Sequence, residues 1–387
     1  INPHYLFNTL TAIRGSLLLG TRLEPGTLVA EAGRITRIVR GHLPDGNLPP
    51  TIIDADIVSP GLIDLQVNGA FGVEVGPNPA DIDRISRGFL AYGVTAWLPT
   101  VVTAPADFYP PVFAMWERID TAAGAVPLGL HLEGPFLSPQ KKGAHRLECI
   151  EAASDDLFAS WLEQDSIALV TLAPEREGGL DRIRQLVDRG ILVSLGHTNA
   201  TYEEFIAGID AGARKATHLY NAMTAIHHRA PGAMVATLVD KRVTAGLIPD
   251  GIHSHPATIR LAIAAKGIDR IAIVTDMMAA TGLGPGTYTL ATRQVTVDDT
   301  SARLDDGTLA GSILTMDQAI RNVVAWSEVT PGEALHMATA VPARLLGDDR
   351  RGQLVAGARA DIALWDRSLH VVETIVGGRS TGAASGA

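Results

Sequence analysis

The 387-residue chain has 46% hydrophobic and 19% charged residues, a balance typical of a globular protein rather than a disordered one. Its formal net charge of -10 argues against a general nucleic-acid-binding protein, although a few local cations could still bind a small anion. No stretch approaches the ~20 uninterrupted apolar residues of a membrane-spanning helix. A single cysteine, Cys149, excludes a disulfide within the chain, and no secretory signal is recognisable. We therefore expect a cytoplasmic protein that needs neither membrane nor nucleic acid.

Residues 1–10, taken alone, resemble the phospho-acceptor segment of one class of sensor histidine kinases. The rest of the chain carries no nucleotide-binding glycine box of that type. We therefore treat the likeness as coincidental and assign His4 no role.

Both ends of the chain predict β structure. Short apolar runs separated by Gly, Pro and Asp occupy most of the first 58 residues, and a similar turn-rich texture returns after residue 346. There, Ile362–Trp365 and Val371–Val376 have the composition of strands. Because neither end alone has enough strands to close a core, we expect residues 1–58 and 347–387 to form one small β-sandwich domain together.

Between these ends, a strand followed by a helix is repeated. The candidate strands are eight: Gly61–Val67, Val94–Pro99, Leu128–Glu133, Ile167–Leu172, Ile191–His197, Arg214–His218, Val243–Ile248 and Arg270–Asp276. The candidate helices are Asp81–Tyr92, Pro105–Ala122, Leu180–Arg189, Tyr202–Ala211, Pro256–Lys266, Thr315–Trp326 and Pro331–Leu346. This α/β pattern predicts a (β/α)8 TIM-like barrel over residues 59–346, with its chemistry at the carboxyl ends of the strands. Residues 282–311 are long for a connection and contain strand-like pieces, so we expect an inserted hairpin at the mouth of the barrel.

Four of the predicted strands end on a residue that can bind a metal or carry a proton: Glu133, His197, His218 and Asp276. Two imidazoles and one carboxylate would leave a divalent ion with an open position for water, and zinc and iron(II) both suit such ligands. The pKa of that water would fall towards ~7, and Asp276 could take its proton. The alternatives are that these residues are hydrogen-bonded core groups, or that Asp276 is a further metal ligand.

The chain resembles the N-acetylglucosamine-6-phosphate deacetylases of the amidohydrolase superfamily. The resemblance extends from about Ser59 to Gly347 and depends on several short motifs that are specific only in combination. These motifs are Ser59–Asp64, His131–Pro135, Lys141–His145, Gly196–Ala200, Thr217–Met223, Pro249–His253, Val274–Asp276 and Leu309–Ser312.

The resemblance implies a role for each matching site residue. Glu133, His197 and His218 would hold the metal, and Asp276 would be the general base and acid. His145 would polarise the acetamide carbonyl of the substrate. The phosphate would be held by the remaining matching residues, which are Asn221, Ala222, Arg229 and His253. The guanidinium of Arg229 suits this task because its fork can donate two hydrogen bonds.

One departure from the superfamily pattern concerns the number of metal ions. Many amidohydrolases carry His-x-His at the end of the first barrel strand and bind a second metal there, whereas this chain has Gln66-Val67-Asn68. Because neutral amides are poor ligands for a zinc-like ion, we predict one divalent metal per subunit, zinc in preference to iron(II).

The sequence therefore predicts an enzyme that uses metal-bound hydroxide to convert N-acetylglucosamine 6-phosphate to glucosamine 6-phosphate and acetate. The resemblance also implies a homodimer. Two alternatives stay open at this point: another amidohydrolase acting on a different N-acyl or cyclic amide, and a binding or regulatory protein with a vestigial site.

Overall fold

The structure is a computed structural model that describes residues 10–41, 43, 49, 51–121 and 124–380. His4 and the rest of the kinase-like segment up to residue 9 lie outside this part of the chain. None of the helices described is long and apolar enough to cross a membrane.

The strands, numbered in chain order, are β1 (Thr11–Leu19), β2 (Arg22–Glu31), β3 (Arg34–Arg40), β4 (Thr51–Pro60), β5 (Leu62–Val67), β6 (Gly69–Ala70), β7 (Val73–Glu74), β8 (Val94–Val102), β9 (Val126–Pro127), β10 (Leu130–Glu133), β11 (Ile167–Leu172), β12 (Leu192–Leu195), β13 (Lys215–Ala216), β14 (Thr244–Leu247), β15 (Ile271–Ile273), β16 (Gly286–Leu290), β17 (Arg293–Val297), β18 (Ala302–Arg303), β19 (Ile362–Trp365), β20 (Val371–Val376) and β21 (Arg379–Ser380).

The α-helices are α1 (Pro79–Gly88), α2 (Tyr109–Trp116), α3 (Leu147–Glu151), α4 (Asp155–Trp161), α5 (Gly179–Asp188), α6 (Tyr202–Asp210), α7 (Gly232–Val239), α8 (Pro256–Lys266), α9 (Met316–Trp326), α10 (Pro331–Met337) and α11 (Ala340–Leu345). Short 3-10 helices cover Phe89–Tyr92, Ala106–Phe108, Pro139–Lys141 and Ile268–Arg270.

Eight parallel strands form the predicted barrel, in the order β5, β8, β10, β11, β12, β13, β14 and β15. The ring closes where Val67, at the end of β5, forms a parallel bridge with Met277, which lies just beyond β15. All six residues of β5 are buried, as expected for a strand covered on both faces. The predicted (β/α)8 fold is therefore confirmed, and each of the eight predicted strands overlaps an observed one.

Both chain ends join in one seven-stranded sheet, with the order β21-β20-β19-β4-β1-β2-β3. Its apolar core draws on both ends of the sequence, including Ile13, Leu28 and Val58 from the first and Ile362 and Ile375 from the last. The predicted association of the two ends is confirmed, while the boundaries proposed at residues 58 and 347 stay a prediction.

Two predicted helices are interrupted for reasons of backbone chemistry. The segment predicted from Pro105 begins as a 3-10 turn, and α2 starts only at Tyr109 with prolines in its first turn. The segment 331–346 divides into α10 and α11 at Thr339, whose φ of -127 and ψ of -77 are not helical. Pro342, just after this break, has no N–H to continue the hydrogen-bond ladder.

The predicted insertion at the mouth is a three-stranded sheet, β16-β17-β18, rather than a simple hairpin. It has its own small apolar core, to which Leu290, Val295 and Ala302 contribute together with Met278 from the barrel. The insertion therefore packs beside the carboxyl ends of the strands, where the site lies.

Candidate metal centre and active site

Three of the predicted site residues lie just beyond barrel strands in a rare backbone conformation. His197, His218 and Asp276 follow β12, β13 and β15 with φ angles of 47, 28 and 54 degrees. Such left-handed conformations cost non-glycine residues about 1–3 kcal/mol each and persist only where the surrounding structure holds them. The backbone thus turns these three side chains towards one point at the rim of the barrel.

Glu133, the last residue of β10, is at the centre of this cluster and is only 2% exposed. Its Oε1 lies 3.1 Å from Nε2 of His218 and 3.4 Å from Nε2 of His197. Although burial would raise the pKa of Glu133, its contacts with His197 and His218 hold it well below its usual value. The carboxylate is therefore ionised, as a metal ligand must be.

The ligand set fits a divalent metal. Nδ1 of His197 donates to the Lys141 carbonyl at 2.8 Å, which leaves Nε2 with a lone pair, 3.0 Å from Nε2 of His218. One ligand atom each from Glu133, His197 and His218 lies within 4.8 Å of the other two. Gly143 lets the loop pass over the ring, since a Cβ there would meet Cε1 of His197 at 3.1 Å. A backbone carbonyl bound to the outer nitrogen of a histidine is a common way to orient a metal ligand.

Gln66 and Asn68, at the end of the first barrel strand, donate hydrogen bonds to the two acids of the site. Nε2 of Gln66 donates to Glu133 Oε1 at 3.0 Å, and Nδ2 of Asn68 donates to Asp276 Oδ1 at 2.7 Å. Both side chains are buried, and neither amide oxygen has a hydrogen-bond partner among the described residues. The first strand thus supplies hydrogen-bond donors where a second metal site would need ligands.

His145 is held as a neutral hydrogen-bond donor facing Glu133. The backbone N–H of Thr103 points at its Nδ1 at 3.3 Å, so the proton belongs on Nε2, which lies 4.0 Å from Glu133 Oε2. The hydroxyl of Thr103 lies 2.8 Å from the same Nδ1. Burial, together with the nearby His197, lowers the pKa of His145 to about 3.

The environment of Asp276 differs from that of Glu133. Burial, followed by the charge of Glu133, raises the pKa of Asp276 to about 6, and the hydrogen bond from Asn68 opposes this rise. A carboxylate with a pKa near neutrality can both accept and release a proton under working conditions. Two neighbouring carboxyl groups whose pKa values are pushed apart are typical of an acid–base site.

A cavity of about 190 Å³ opens over these groups. Three of the four residues assigned to the phosphate line it: Asn221, Ala222 and His253. His253 donates from Nδ1 to Asp250 at 2.6 Å, which leaves its Nε2 for a ligand. The fourth residue, Arg229, is exposed and does not line the cavity; its Nη1 lies 2.9 Å from His228 Nε2.

Sequence reasoning missed several residues that contribute to the site. Thr103 and the Lys141 carbonyl orient two histidines. Thr103 lies in no recognised motif, and the motif that contains Lys141 does not reveal the contact of its carbonyl with His197. Lys215, three residues before His218, is fully buried, and its Nζ has no hydrogen-bond partner in the part of the chain described. Burial lowers the pKa of Lys215 to about 8, against the charges of Glu133 and Asp276. Of these residues, only Lys215 could have been noticed in the sequence, because a lysine is unusual within a strand predicted to be buried.

Residues 57–381 match the model of the amidohydrolase family. The chain belongs to the amidohydrolase family. Curated relatives of this amidohydrolase include the N-acetylgalactosamine-6-phosphate deacetylase of Escherichia coli O157:H7, which is 41% identical over 84% of this chain and 88% of the relative. The N-acetylglucosamine-6-phosphate deacetylase of Bos taurus is 40% identical over 83% of this chain and 82% of the relative.

Solved structures agree with this family assignment. The N-acetylglucosamine-6-phosphate deacetylase of Pasteurella multocida superimposes on this amidohydrolase with a TM-score of 0.90 at 33% identity, covering 95% of this chain and 98% of the other. A variant of the Mycobacterium smegmatis enzyme, solved in complex with N-acetyl-D-glucosamine-6-phosphate, gives a TM-score of 0.89 at 34% identity. This second alignment covers 96% of this chain and 99% of the Mycobacterium smegmatis chain.

Proposed function

We propose that this amidohydrolase removes acetate from N-acetylglucosamine 6-phosphate and releases glucosamine 6-phosphate. The observation that carries the proposal is the cluster of Glu133, His197 and His218 beside Asp276, in a chain whose relatives of similar length bear the names of sugar-phosphate deacetylases. The intact cluster argues against a vestigial site in a binding protein.

The metal is assigned to Glu133, His197 and His218, with zinc preferred over iron(II). When bound, such an ion lowers the pKa of a water molecule and polarises the amide carbonyl. Gln66 supports this assignment, because its amide donates to Glu133 and so fixes the orientation of the carboxylate.

Asp276 is assigned the proton transfers. Its Oδ1 accepts the hydrogen bond from Asn68, so Oδ2 is the oxygen available to take a proton from the attacking water. The same carboxyl group then gives the proton to the amide nitrogen as the C–N bond breaks. A pKa near neutrality suits a group that must do both.

His145 is assigned to the substrate carbonyl. Its neutral Nε2–H can donate to the oxygen as negative charge develops there in the tetrahedral intermediate. A low pKa keeps the ring uncharged, so His145 stays a hydrogen-bond donor and does not compete with Asp276 for the proton.

The phosphate group is assigned to the side of the cavity formed by the Asn221–Ala222 backbone and His253. Arg229, on an exposed loop, would complete this site when the loop moves or when a second subunit presents it. A homodimer is therefore part of the proposal.

The identity of the sugar has a second candidate. N-acetylgalactosamine 6-phosphate differs from the first only at C4, and one of the most similar relatives carries that substrate in its name. Because the relatives named for the two sugars are 41% and 40% identical to this chain, sequence similarity does not choose between them.

The test is an acetate-release assay on the metal-loaded protein with both 6-phosphorylated sugars, unphosphorylated N-acetylglucosamine, an N-acyl amino acid and a cyclic imide. We expect the highest kcat/KM with N-acetylglucosamine 6-phosphate. A preference for the amino acid or the imide would replace the proposal with another amidohydrolase activity.

In the Arg229→Ala variant, KM should rise for the phosphorylated sugar much more than for the unphosphorylated one. An equal effect on both would remove Arg229 from phosphate binding.

A further inference from the structure

A second concave site, far from the metal centre, lies between the β sheet of the chain ends and the barrel. It is a groove of about 740 Å³, and arginine is its most frequent lining residue. We call it the arginine groove and define it by its five arginines: Arg34, Arg87, Arg350, Arg359 and Arg379.

The arginine groove is at the opposite end of the barrel from the active site. Its barrel-side wall includes Arg87 near the end of α1, which precedes β8, and Val126, which pairs with Ala96 near the start of β8. These positions mark the amino-terminal ends of the strands, whereas Glu133 and Asp276 lie at the carboxyl ends. The two cavities share no lining residue.

The charge of the groove is unusual in a chain with a net charge of -10. None of the described residues that line it is acidic. Arg34 and Arg359 face each other in an antiparallel bridge, a placement of like charges that is unfavourable without a counter-ion. Asp361 offsets only part of this charge, through a hydrogen bond from Arg359 Nε at 2.9 Å.

The other three arginines of the groove have no close side-chain partner among the described residues, although Arg350 lies near enough to Asp348 to help lower the pKa of that carboxyl. The guanidinium groups of Arg87, Arg350 and Arg379 make no hydrogen bond or ion pair with any residue in the described ranges. Arg87 belongs to the barrel side, whereas Arg350 and Arg379 come from the carboxyl-terminal part of the chain. The groove therefore presents donors from two walls to whatever enters it.

Backbone rather than side chains forms part of the groove. Gly33, with a φ of 78 degrees, lies so close to Gly377 that a Cβ on it would meet the Gly377 carbonyl oxygen at 2.8 Å. A Cβ on Gly377 would in turn meet Nη2 of Arg359 at 3.1 Å. The two glycines thus leave room beside Arg359 that side chains would fill.

We propose that the arginine groove binds a small phosphorylated anion carrying several negative charges. A guanidinium group can donate two hydrogen bonds to phosphate oxygens. Because the donors lie on opposite walls, they could contact one phosphorylated anion from two sides. The groove has the size of a small-molecule site, which favours a metabolite over a macromolecular surface. Phosphoanhydrides and phosphate monoesters share this chemistry.

The test is a calorimetric titration of the full-length, metal-loaded protein with pyrophosphate and, separately, with glycerol 3-phosphate at constant ionic strength. The groove variant is Arg350→Ala with Arg379→Ala. The matched control, Arg37→Ala with Arg184→Ala, removes two exposed arginines that do not line the groove. Because the groove variant removes two guanidinium donors, it should bind pyrophosphate at least ~10-fold more weakly, and the control should stay within ~2-fold of the parent.

Arg87→Ala, on the other wall, is an independent variant that can be used if the double variant is unstable. It should also weaken pyrophosphate binding. Deacetylation rates should be unchanged in all of these variants, because none of the substituted residues lines the catalytic cavity. Tighter binding of pyrophosphate than of glycerol 3-phosphate at the groove would identify a phosphoanhydride ligand, and the reverse order a phosphate monoester. No saturable binding of either compound, or equal binding in the groove variant and the control, would overturn the proposal.

Discussion

At the scale of single residues, Asn68 and Gln66 show how one barrel strand can serve the site without binding a metal. Each amide donates one hydrogen bond to a carboxylate, Asn68 to Asp276 and Gln66 to Glu133. Asn68 leaves the second oxygen of Asp276 free, whereas Gln66 holds the same oxygen of Glu133 that faces both histidines. The two amides therefore place the two acids in different surroundings.

Replacing Asp276 by Asn should remove the proton carrier and keep the geometry. The new side chain retains an oxygen that can accept from Asn68, but it cannot take a proton from water. We expect kcat to fall by about 10²–10⁴-fold, the usual contribution of general acid–base catalysis, with the metal content unchanged. Steady-state kinetics with metal analysis of the same preparation is the measurement, and near-normal turnover would exclude Asp276 from the mechanism.

Thr103→Val should show that His145 is positioned by its neighbour. The substitution removes a buried hydroxyl that lies 2.8 Å from Nδ1 of His145 and donates to the Glu133 carbonyl at 3.1 Å, while keeping the shape of the side chain. We expect a fall in kcat of about tenfold or more, since a buried hydrogen bond contributes about 1–3 kcal/mol. The matched control is Thr237→Val, because the hydroxyl of Thr237 is buried without a partner among the described residues. Equal kcat values in the two variants would contradict this role of Thr103.

The sequence predicted some residues of the site and missed others for a physical reason. The convergence of Glu133, His197 and His218 could be predicted because each ends an apolar run, and parallel strands of a barrel end at the same rim. Thr103 could not be found, because its contact with His145 depends on tertiary packing across 42 residues. The assignment of Arg229 is still a proposal, since it lies outside the cavity lining of the single chain.

At the scale of secondary-structure elements, the inserted sheet is attached to the mouth of the barrel by Glu74. This carboxylate, at the end of β7, accepts hydrogen bonds from the hydroxyl of Thr289, within β16, and from the N–H of Ala291, just after that strand. Leu290, between them, lines the active-site cavity. The attachment therefore holds one wall of the cavity in place.

Glu74→Ala should loosen the inserted sheet more than the barrel. Losing hydrogen bonds to a charged group costs about 1.5–3 kcal/mol, so proteolysis within residues 282–308 should accelerate by about tenfold or more. The melting temperature of the whole chain should change little. Glu151→Ala is the control, since this exposed glutamate on α3 has no side-chain partner in the described part of the chain. Equal cleavage rates in both variants would show that Glu74 does not hold the sheet.

Two different properties hide the helices that the sequence did not predict. The sequence of α7, Gly232–Val239, is almost entirely apolar, so it has no polar face from which a helical period could be recognised. The helices α3 and α4 span only five and seven residues, too few to establish a period. The predicted helices α5 and α6, by contrast, alternate buried and exposed faces along the sequence.

At the scale of the whole molecule, two long-range contacts join distant parts of the chain. The barrel closes through Val67 and Met277, and Trp365 near the carboxyl end donates to Ser59 at 2.9 Å. Repetition of strands and helices predicts such a closed ring, but the register at the closing seam depends on side-chain packing that no local pattern shows. The same closure brings Asn68 and Asp276 together, and so completes the active site.

Metal content is the prediction that tests the whole assembly. The native protein should contain about one equivalent of divalent metal per chain, because Gln66 and Asn68 offer hydrogen bonds where a second ion would need ligands. Removing the ion with a chelator should abolish deacetylation. It should also lower the melting temperature, since a ligand at 100 times its Kd stabilises the folded state by about 2.7 kcal/mol.

Two variants make this metal measurement specific to the site. His218→Asn should fall well below one equivalent, because it removes one of three ligands, whereas Asp276→Asn should keep the full equivalent although its activity is lost. Elemental analysis of the three proteins after the same dialysis gives the comparison. Nearly two equivalents in the native protein would contradict the single-metal interpretation, and a full equivalent in His218→Asn would mean that the ion is held by other residues.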